Sequence, residues 1–446
     1  GLISYIASDY NTGWMNGDIK LATLSDNDTT NAVGAELITN STSFSNTTGW
    51  YLDNANTSSG TIATIAASGS NLVFTHSNTN NSWDGFGTSG TFVVGQTYTI
   101  DTTIVSSTNI NVLRITTTPN QHAADIATTI NSAGTHSYTF KATATTMYFH
   151  WNGYNTTSTI TLSKFSVRLA EADRSYNNTG IPVYGTVTKT AVATGAELVA
   201  YSGFNGNNYL RQPYNADLQF GTGSFSIMGW YKVGTVSSTY RCLVYINSVG
   251  VSSVGSTNHG FQLLVAPDET LYSYIYGPSA DADSVTTVDT TDGKWHMFCH
   301  VTEGNSDHKL YVDGVLRASS TATTGNINNA NAELMLGAYG GTTSANAFPF
   351  TDGSLSNIRI AKAPISHEKI VKIYNDEKHL YGTNAKATLY GTSNNPLAIA
   401  YDDDTEQLHA GTSAGRSVFQ GLSRVDNTTD AVGTSISASN GLVAEE

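Results

Sequence analysis

Apolar positions in this chain come in short runs, and many alternate with polar ones instead of recurring every three or four residues. Tyr98, Ile100 and Thr102 fall on one face of a strand, and Thr97, Thr99 and Asp101 on the other. Strands are predicted over 72–75, 97–105, 112–116, 137–142, 147–151 and 159–169, a spacing that suggests a sandwich or jelly roll. A second series follows residue 195: FSIMGWYKV, RCLVYINS, GFQLLVA, TLYSYIYG, WHMFCHVTE, HKLYVDGVL, AELMLGA and LSNIRIAKA. One helix stands out, where Ser366 caps HEKIVKIYNDEKH, Ile365 staples it, and Ile370, Ile373 and Tyr374 form its apolar stripe. The pattern predicts an all-β chain with two sandwich or jelly-roll modules in series.

Two echoes mark junctions. GAELITN opens at Gly34 and GAELVAY at Gly195, while DNDTTNAVG, ending at Gly34, returns as DNTTDAVG, ending at Gly433. The expected organisation is a β-hairpin segment at 1–33, a jelly roll at 34–170, a linker at 171–194, a larger sandwich at 195–384 and a β-rich anchoring segment at 385–446. Two-stranded hairpins are marginal in water, so the strands of both end segments are expected to pair with other β-structure. That structure would be each other, copies of the chain, or further sequence beyond these residues, in a homo-oligomer or a virion.

Composition narrows the partners. Only 13% of residues are charged and Pro is scarce at 8, which suits strands joined by Gly- and Asn-rich turns. Net charge is −14 with no basic stripe, which argues against nucleic acid and against polyanionic glycans, leaving neutral sugars as the favoured glycan class. No run approaches the roughly 18 apolar residues of a membrane span, so no membrane insertion is expected. Cys242 and Cys299 sit in apolar runs and read first as buried thiols, with a disulfide between neighbouring strands as the other reading.

Catalytic patterns are incomplete. Retaining glycosidases need paired carboxylates, yet Glu171-Ala-Asp173 lacks the second member of an E-x-D-x-x-E set. GTSAG at 411–415 matches a nucleophile elbow in spelling only; with strand-like sequence after it, Ser413 reads as a β-turn residue. His296, Cys299 and His300 cannot share an ion, because Cys299 points away from a face on which the histidines lie ~13 Å apart. No cofactor is implied. Asp281 and Asp283 suit calcium in residue type, but two loop aspartates read first as a solvated turn. Trp83 and Phe86 (NSWDGFGTS), with Trp151 and Tyr154 (HWNGYNT), lie in polar, glycine-containing contexts. Such rings either stack on sugars or cover the open end of a sandwich core, and both readings stand. Trp230 and Trp295 are expected between the sheets of the second module.

Four segments taken together resemble the laminin-G/concanavalin A-like lectin superfamily: FSIMGWYKV (225–233), DGKWHMFCHV (292–301), HKLYVDGVL (308–316) and LSNIRIAKAPISHEKIVKIYND (355–376). That resemblance implies fold first, since such domains range from glycan binders to spacers. ELITNSTSFSNTTGW and TITLSKFSVRLA resemble the opening and closing strands of carbohydrate-binding jelly rolls. TGWMNGDIKLATLSD and IAYDDDTEQLHAGTSAGRSVF resemble tail or fibre proteins of marine bacteriophages. The resemblances imply a non-enzymatic adhesion protein on a virion surface, with virion proteins, copies of itself and host-surface glycans as partners. The alternative is a secreted bacterial carbohydrate-binding protein, or the non-catalytic part of a glycan-active enzyme.

Overall fold

The computed structural model describes residues 19–446, apart from 55–61, 78–82, 120–125, 155–156, 237, 249–258, 288, 341–347, 394 and 422. The chain is all-β, and among the described residues the one α-helix is His367–Glu377.

The first sandwich faces one antiparallel sheet (Trp50–Asn54, Trp83–Thr91, Thr146–Tyr154, Arg114–Thr116, Ile126–Ala127) against another. The second sheet is built from Ile62–Ser68, Asn71–Ser77, Ser158–Glu171, Thr97–Thr108 and Gly134–Lys141. Aromatic rings fill the space between them. Phe86 stacks on Trp50 at 5.9 Å and on Trp151 at 5.5 Å, and Phe165 meets Trp151 edge-on at 5.3 Å.

In the second sandwich, one sheet runs through Val199–Ser202, Ser354–Ala361, Phe225–Lys232, Trp295–Glu303, Asp307–Val312 and Val315–Ser320. The other runs through Tyr209–Gln212, Ala332–Leu336, Arg241–Ser248, Gly260–Val265, Leu271–Tyr276 and Ala282–Val285. Phe225, Ile227, Phe261, Phe298 and Ile358 pack between them. Cys242 and Cys299 are free and buried, and burial pushes both thiols up.

The helix closes the outer face of the first of these sheets. Ser366 Oγ accepts the Lys369 amide at 3.4 Å, and Ile370 and Ile373 are buried against the sheet. Here the structure corrects an expectation. Trp230 is buried, but beneath the helix rather than between the sheets, and Trp295 is half-buried beside Tyr381. Seven of the eight residues of Phe225–Lys232 are buried, so no alternation in the sequence announces which face is the core.

The segment expected as a linker holds the strand Ile181–Ala191, which edges both sheets of the second sandwich. Val183 pairs with Leu210 in one sheet, Thr190 with Ala200 in the other, and Thr186 with Val33 between them. Its first residues also pair with Ala170 and Glu171, the end of the first sandwich. Asp173, in the turn between, accepts the amides of Ala22, Ser175 and Thr179 at 2.8–2.9 Å. The two sandwiches therefore share one strand seam.

The described end segments also differ from expectation, because they find partners within the chain. Ile19–Thr23 pairs with Ser354–Ala361 and Ala32–Gly34 with Ile181–Ala191, while 1–18, the first part of the expected hairpin segment, lies outside the described residues. The C-terminal strands Ala398–Asp402, Gln407–Thr412, Gly415–Gln420 and Ser423–Asn427 form a meander backed by the hairpin Ile436–Ser439/Leu442–Glu445. Glu197 fastens this unit to the second sandwich: it accepts the Ala387 and Thr388 amides at 3.1 Å and pairs with Arg424 at 3.2 Å.

Candidate functional site

The helix and Tyr381 cover the outer face of one sheet of the second sandwich. The outer face of the opposite sheet carries tyrosines instead. In Leu271–Tyr276, residues Leu271, Ser273 and Ile275 are buried, while Tyr272, Tyr274 and Tyr276 are half-buried on the other side, as two-residue periodicity requires. A cross-strand row runs Arg211, Met335, Tyr245, Gln262, Tyr274 and Asp283, each directly opposite the next.

The rings on this face touch in series. Tyr274 lies 4.5 Å from Tyr276; Tyr245 meets Tyr339 at 4.8 Å, and Tyr339 meets Phe348 at 5.2 Å. Tyr240, exposed at 37%, spans the gap from Phe348 to Tyr272. At the far edge Tyr184 stacks on Tyr209 at 4.9 Å under the Arg168 guanidinium. Polar groups are interleaved. Arg211 is held by both oxygens of Glu333, and the Gln262 amide nitrogen donates to the Tyr276 hydroxyl. Gln262 Oε1 is buried and has no hydrogen-bond partner among the described residues. Flat rings beside fixed hydrogen-bonding groups suit the apolar faces and the hydroxyls of a sugar.

The residues singled out from sequence fare differently. Phe86 and Trp151 are fully buried in the first sandwich, and the Trp151 indole N–H is spent on the Ile130 carbonyl at 3.0 Å. Neither ring can stack on a ligand, so the reading of these two as a sugar platform is corrected to core. Trp83 and Tyr154 face each other across paired strands, but their side chains lie outside the described residues. One residue along, the parity reverses: Tyr148 and Tyr51 flank His150 at 6.2 and 6.0 Å on the outer face, above Gly87.

Chemistry elsewhere is committed to structure. Glu171 accepts from the Tyr201 hydroxyl at 2.6 Å, and Asp173 is 3% exposed and saturated by amides. Ser413 sits at the tip of the hairpin Gln407–Thr412/Gly415–Gln420, followed directly by a strand. Ser158 pairs with His76 in register, and His76 Nε2 lies 3.2 Å from Asp84, a Ser-His-Asp set with zero exposure throughout. His296 bonds Asp313 and Asp292, whereas Cys299 and His300 point to opposite sides of their sheet. Asp281 and Asp283 are exposed beside the tyrosine face, and among the described residues no trio of His, Cys, Asp or Glu is placed to hold a metal.

Residues 204–371 match the family model of the concanavalin A-like lectin/glucanases superfamily. The second sandwich is a concanavalin A-like domain. No curated protein matches the chain. Among solved structures, the chain resembles domain 4 of AbnA, a GH43 extracellular arabinanase from Geobacillus stearothermophilus, in complex with arabinotriose. Identity is 17%, covering 46% of this chain and 92% of that one, with a TM-score of 0.35. It also resembles the binding domain of Paraclostridial Mosquitocidal Protein 1 (15% identity, 60% and 68% covered, TM-score 0.39). A third likeness is to the CBM40 domain of the Ruminococcus gnavus IT-sialidase (14%, 35% and 84%, TM-score 0.30). In the concanavalin A-like domain the tyrosine row was legible as the alternation in TLYSYIYG, which sequence reasoning read as a strand and no more.

Proposed function

We propose that this chain is a non-enzymatic adhesion and structural protein of a virion appendage, a phage tail fibre, whose concanavalin A-like domain offers its tyrosine face to neutral glycans on a host surface. The observation that carries the reading is the asymmetry of that domain: one outer sheet face is sealed by the helix, and the other is lined with half-exposed tyrosines in ring-to-ring contact. The net charge of −14 favours neutral over acidic sugars. The shared strand Ile181–Ala191 supports a projecting arm, because it pairs with strands of both sandwiches. The phage assignment rests on the resemblance of the segments at 12–26 and 399–419 to tail and fibre proteins. Non-enzymatic action agrees with the structural engagement of Asp173 and the burial of Ser158, His76 and Asp84.

Two measurements test this reading together. Antibodies to the chain should decorate an appendage of purified virions in electron micrographs, and a neutral-glycan array should retain the chain. Decoration of a bacterial surface instead of a particle would favour the secreted carbohydrate-binding protein. Sustained hydrolysis of a retained glycan would overturn the non-enzymatic part.

A further inference from the structure

Lys189, on the shared strand Ile181–Ala191, has a side chain only 5% exposed, with Nζ 2.5 Å from Asp26 Oδ2 and 3.9 Å from Glu171 Oε2. Asp26 and Glu171 are themselves 18% and 12% exposed. Asp26 lies between the strands Ile19–Thr23 and Ala32–Gly34. It is held at both ends: its Oδ1 accepts the Asn27 and Asp28 amides at 2.7 and 3.1 Å, and its carbonyl accepts the Val199 amide at 2.8 Å. Glu171, the last residue of Ser158–Glu171, accepts from the Tyr201 hydroxyl, whose ring lies 5.3 Å beneath the Lys189 ammonium. Burial pushes the Glu171 carboxyl above its ordinary range, against the pull of Lys189; Arg174 and Asp26 are the other charges acting on it.

We propose that these residues form an autocatalytic cross-linking site, in which Lys189 and Asp26 condense to an intramolecular isopeptide bond with Glu171 as proton carrier. A salt bridge alone needs no third acid, and burying an additional carboxyl beside it costs stability. Within this contact one proton moves from Nζ to Oδ2, which frees the amine lone pair and makes Oδ2 part of a leaving hydroxyl. The amine lone pair attacks Asp26 Cγ. Charge developing on Oδ1 meets the Asn27 and Asp28 amides, an arrangement that stabilises a tetrahedral intermediate. The Glu171 carboxylate takes a proton from the nitrogen and passes it to the departing Oδ2. The Nζ–Cγ bond forms, the Cγ–Oδ2 bond breaks and one water leaves, so no oxidant, reductant or co-reactant is consumed. The joined residues are 163 apart in sequence. The bond encloses the whole first sandwich, so tension between the chain ends would bypass it.

The intact mass of the purified full chain and its peptide map test the proposal. Wild type is expected to be lighter by one water and to give a branched peptide joining Asp26 to Lys189. Lys189→Arg keeps the positive charge but cannot form this amide, and should have full mass. Glu171→Gln keeps an acceptor for Tyr201; it should fold with an unchanged circular dichroism spectrum yet form the bond on the order of a hundredfold more slowly. A folded wild type of full mass overturns the proposal. So does a water loss that persists in Lys189→Arg, which would mark a cyclised aspartate instead, and so does bond formation at the wild-type rate in Glu171→Gln.

Discussion

Trp230 donates its indole N–H to Glu377 Oε2 at 2.9 Å, and the other oxygen of Glu377 holds the Arg359 guanidinium, all within the layer between sheet and helix. Tyr381 stacks on the same indole at 4.2 Å. This buried set seals one face of the concanavalin A-like domain and so determines which face remains for a ligand. Trp230→Ala is expected to destabilise the domain by about 3–5 kcal/mol in urea unfolding. Glu377→Ala should cost a similar ~3–5 kcal/mol, since it removes the carboxylate that pairs with the buried Arg359 guanidinium. If both variants unfolded at the wild-type midpoint, the helix would not be the seal.

Acid should unfold the chain partly through the core of the same domain. His300 Nδ1 bonds Ser273 Oγ at 2.6 Å, its Nε2 bonds Thr302, and Thr302 bonds His308 at 3.1 Å. Burial, with His308 nearby, pushes the His300 imidazole down to about 3, and burial lowers His308 as well. A lowered histidine pKa means that the unfolded chain takes up the proton first. The stability it contributes is present above about pH 6.5 and is lost as pH falls towards 3. Asp101, Asp173 and Glu171, raised by burial, act in the opposite sense. The comparison with His300→Gln therefore isolates the histidine. Between pH 7 and 4 the wild type should lose more stability than the variant, by on the order of 3 kcal/mol. Parallel losses in the two proteins would contradict this.

At the seam between the sandwiches, Asp173→Ala leaves the Ala22 and Thr179 amides without their acceptor. The expected cost is about 3 kcal/mol. Hydrogen exchange should accelerate at Ala22, Ser175 and Thr179, while the Phe86 and Phe298 core strands keep their protection. Uniform acceleration across both cores would mean that the seam is not a separate structural feature.

The fold was legible where periodicity was clean, as in Thr97–Thr108 and Leu271–Tyr276, and in the cap at Ser366. Where strands are buried on both faces, as in Phe225–Lys232, parity vanished and Trp230 was assigned to the wrong side. The GAEL echo proved to be physical. Glu36 accepts the Val167 amide at 3.0 Å and contacts Arg168, much as Glu197 takes the Ala387 and Thr388 amides and Arg424. The other echo did not transfer, since Ala32 is buried and Val33 exposed, whereas Val432 is buried and Ala431 exposed. Phe86 and Trp151 misled because glycine-rich surroundings read as loop, whereas Gly85 and Gly87 sit within a strand where a Cβ would strike the Trp151 and Phe149 carbonyl oxygens. The tyrosine face escaped because it is assembled from separate strands whose neighbour relations no local pattern encodes.

The central claim is that the uncovered sheet face of the concanavalin A-like domain binds neutral sugar. Its most direct test is calorimetric titration of the full chain with the best-retained oligosaccharide from a neutral-glycan array, comparing wild type with Tyr274→Ala and Tyr148→Ala. Removing a stacking ring costs ~1–3 kcal/mol, so Tyr274→Ala should weaken binding by roughly tenfold or more, while Tyr148→Ala on the first sandwich leaves it unchanged. Affinity retained in Tyr274→Ala but lost in Tyr148→Ala would place the site on the other sandwich and contradict the account.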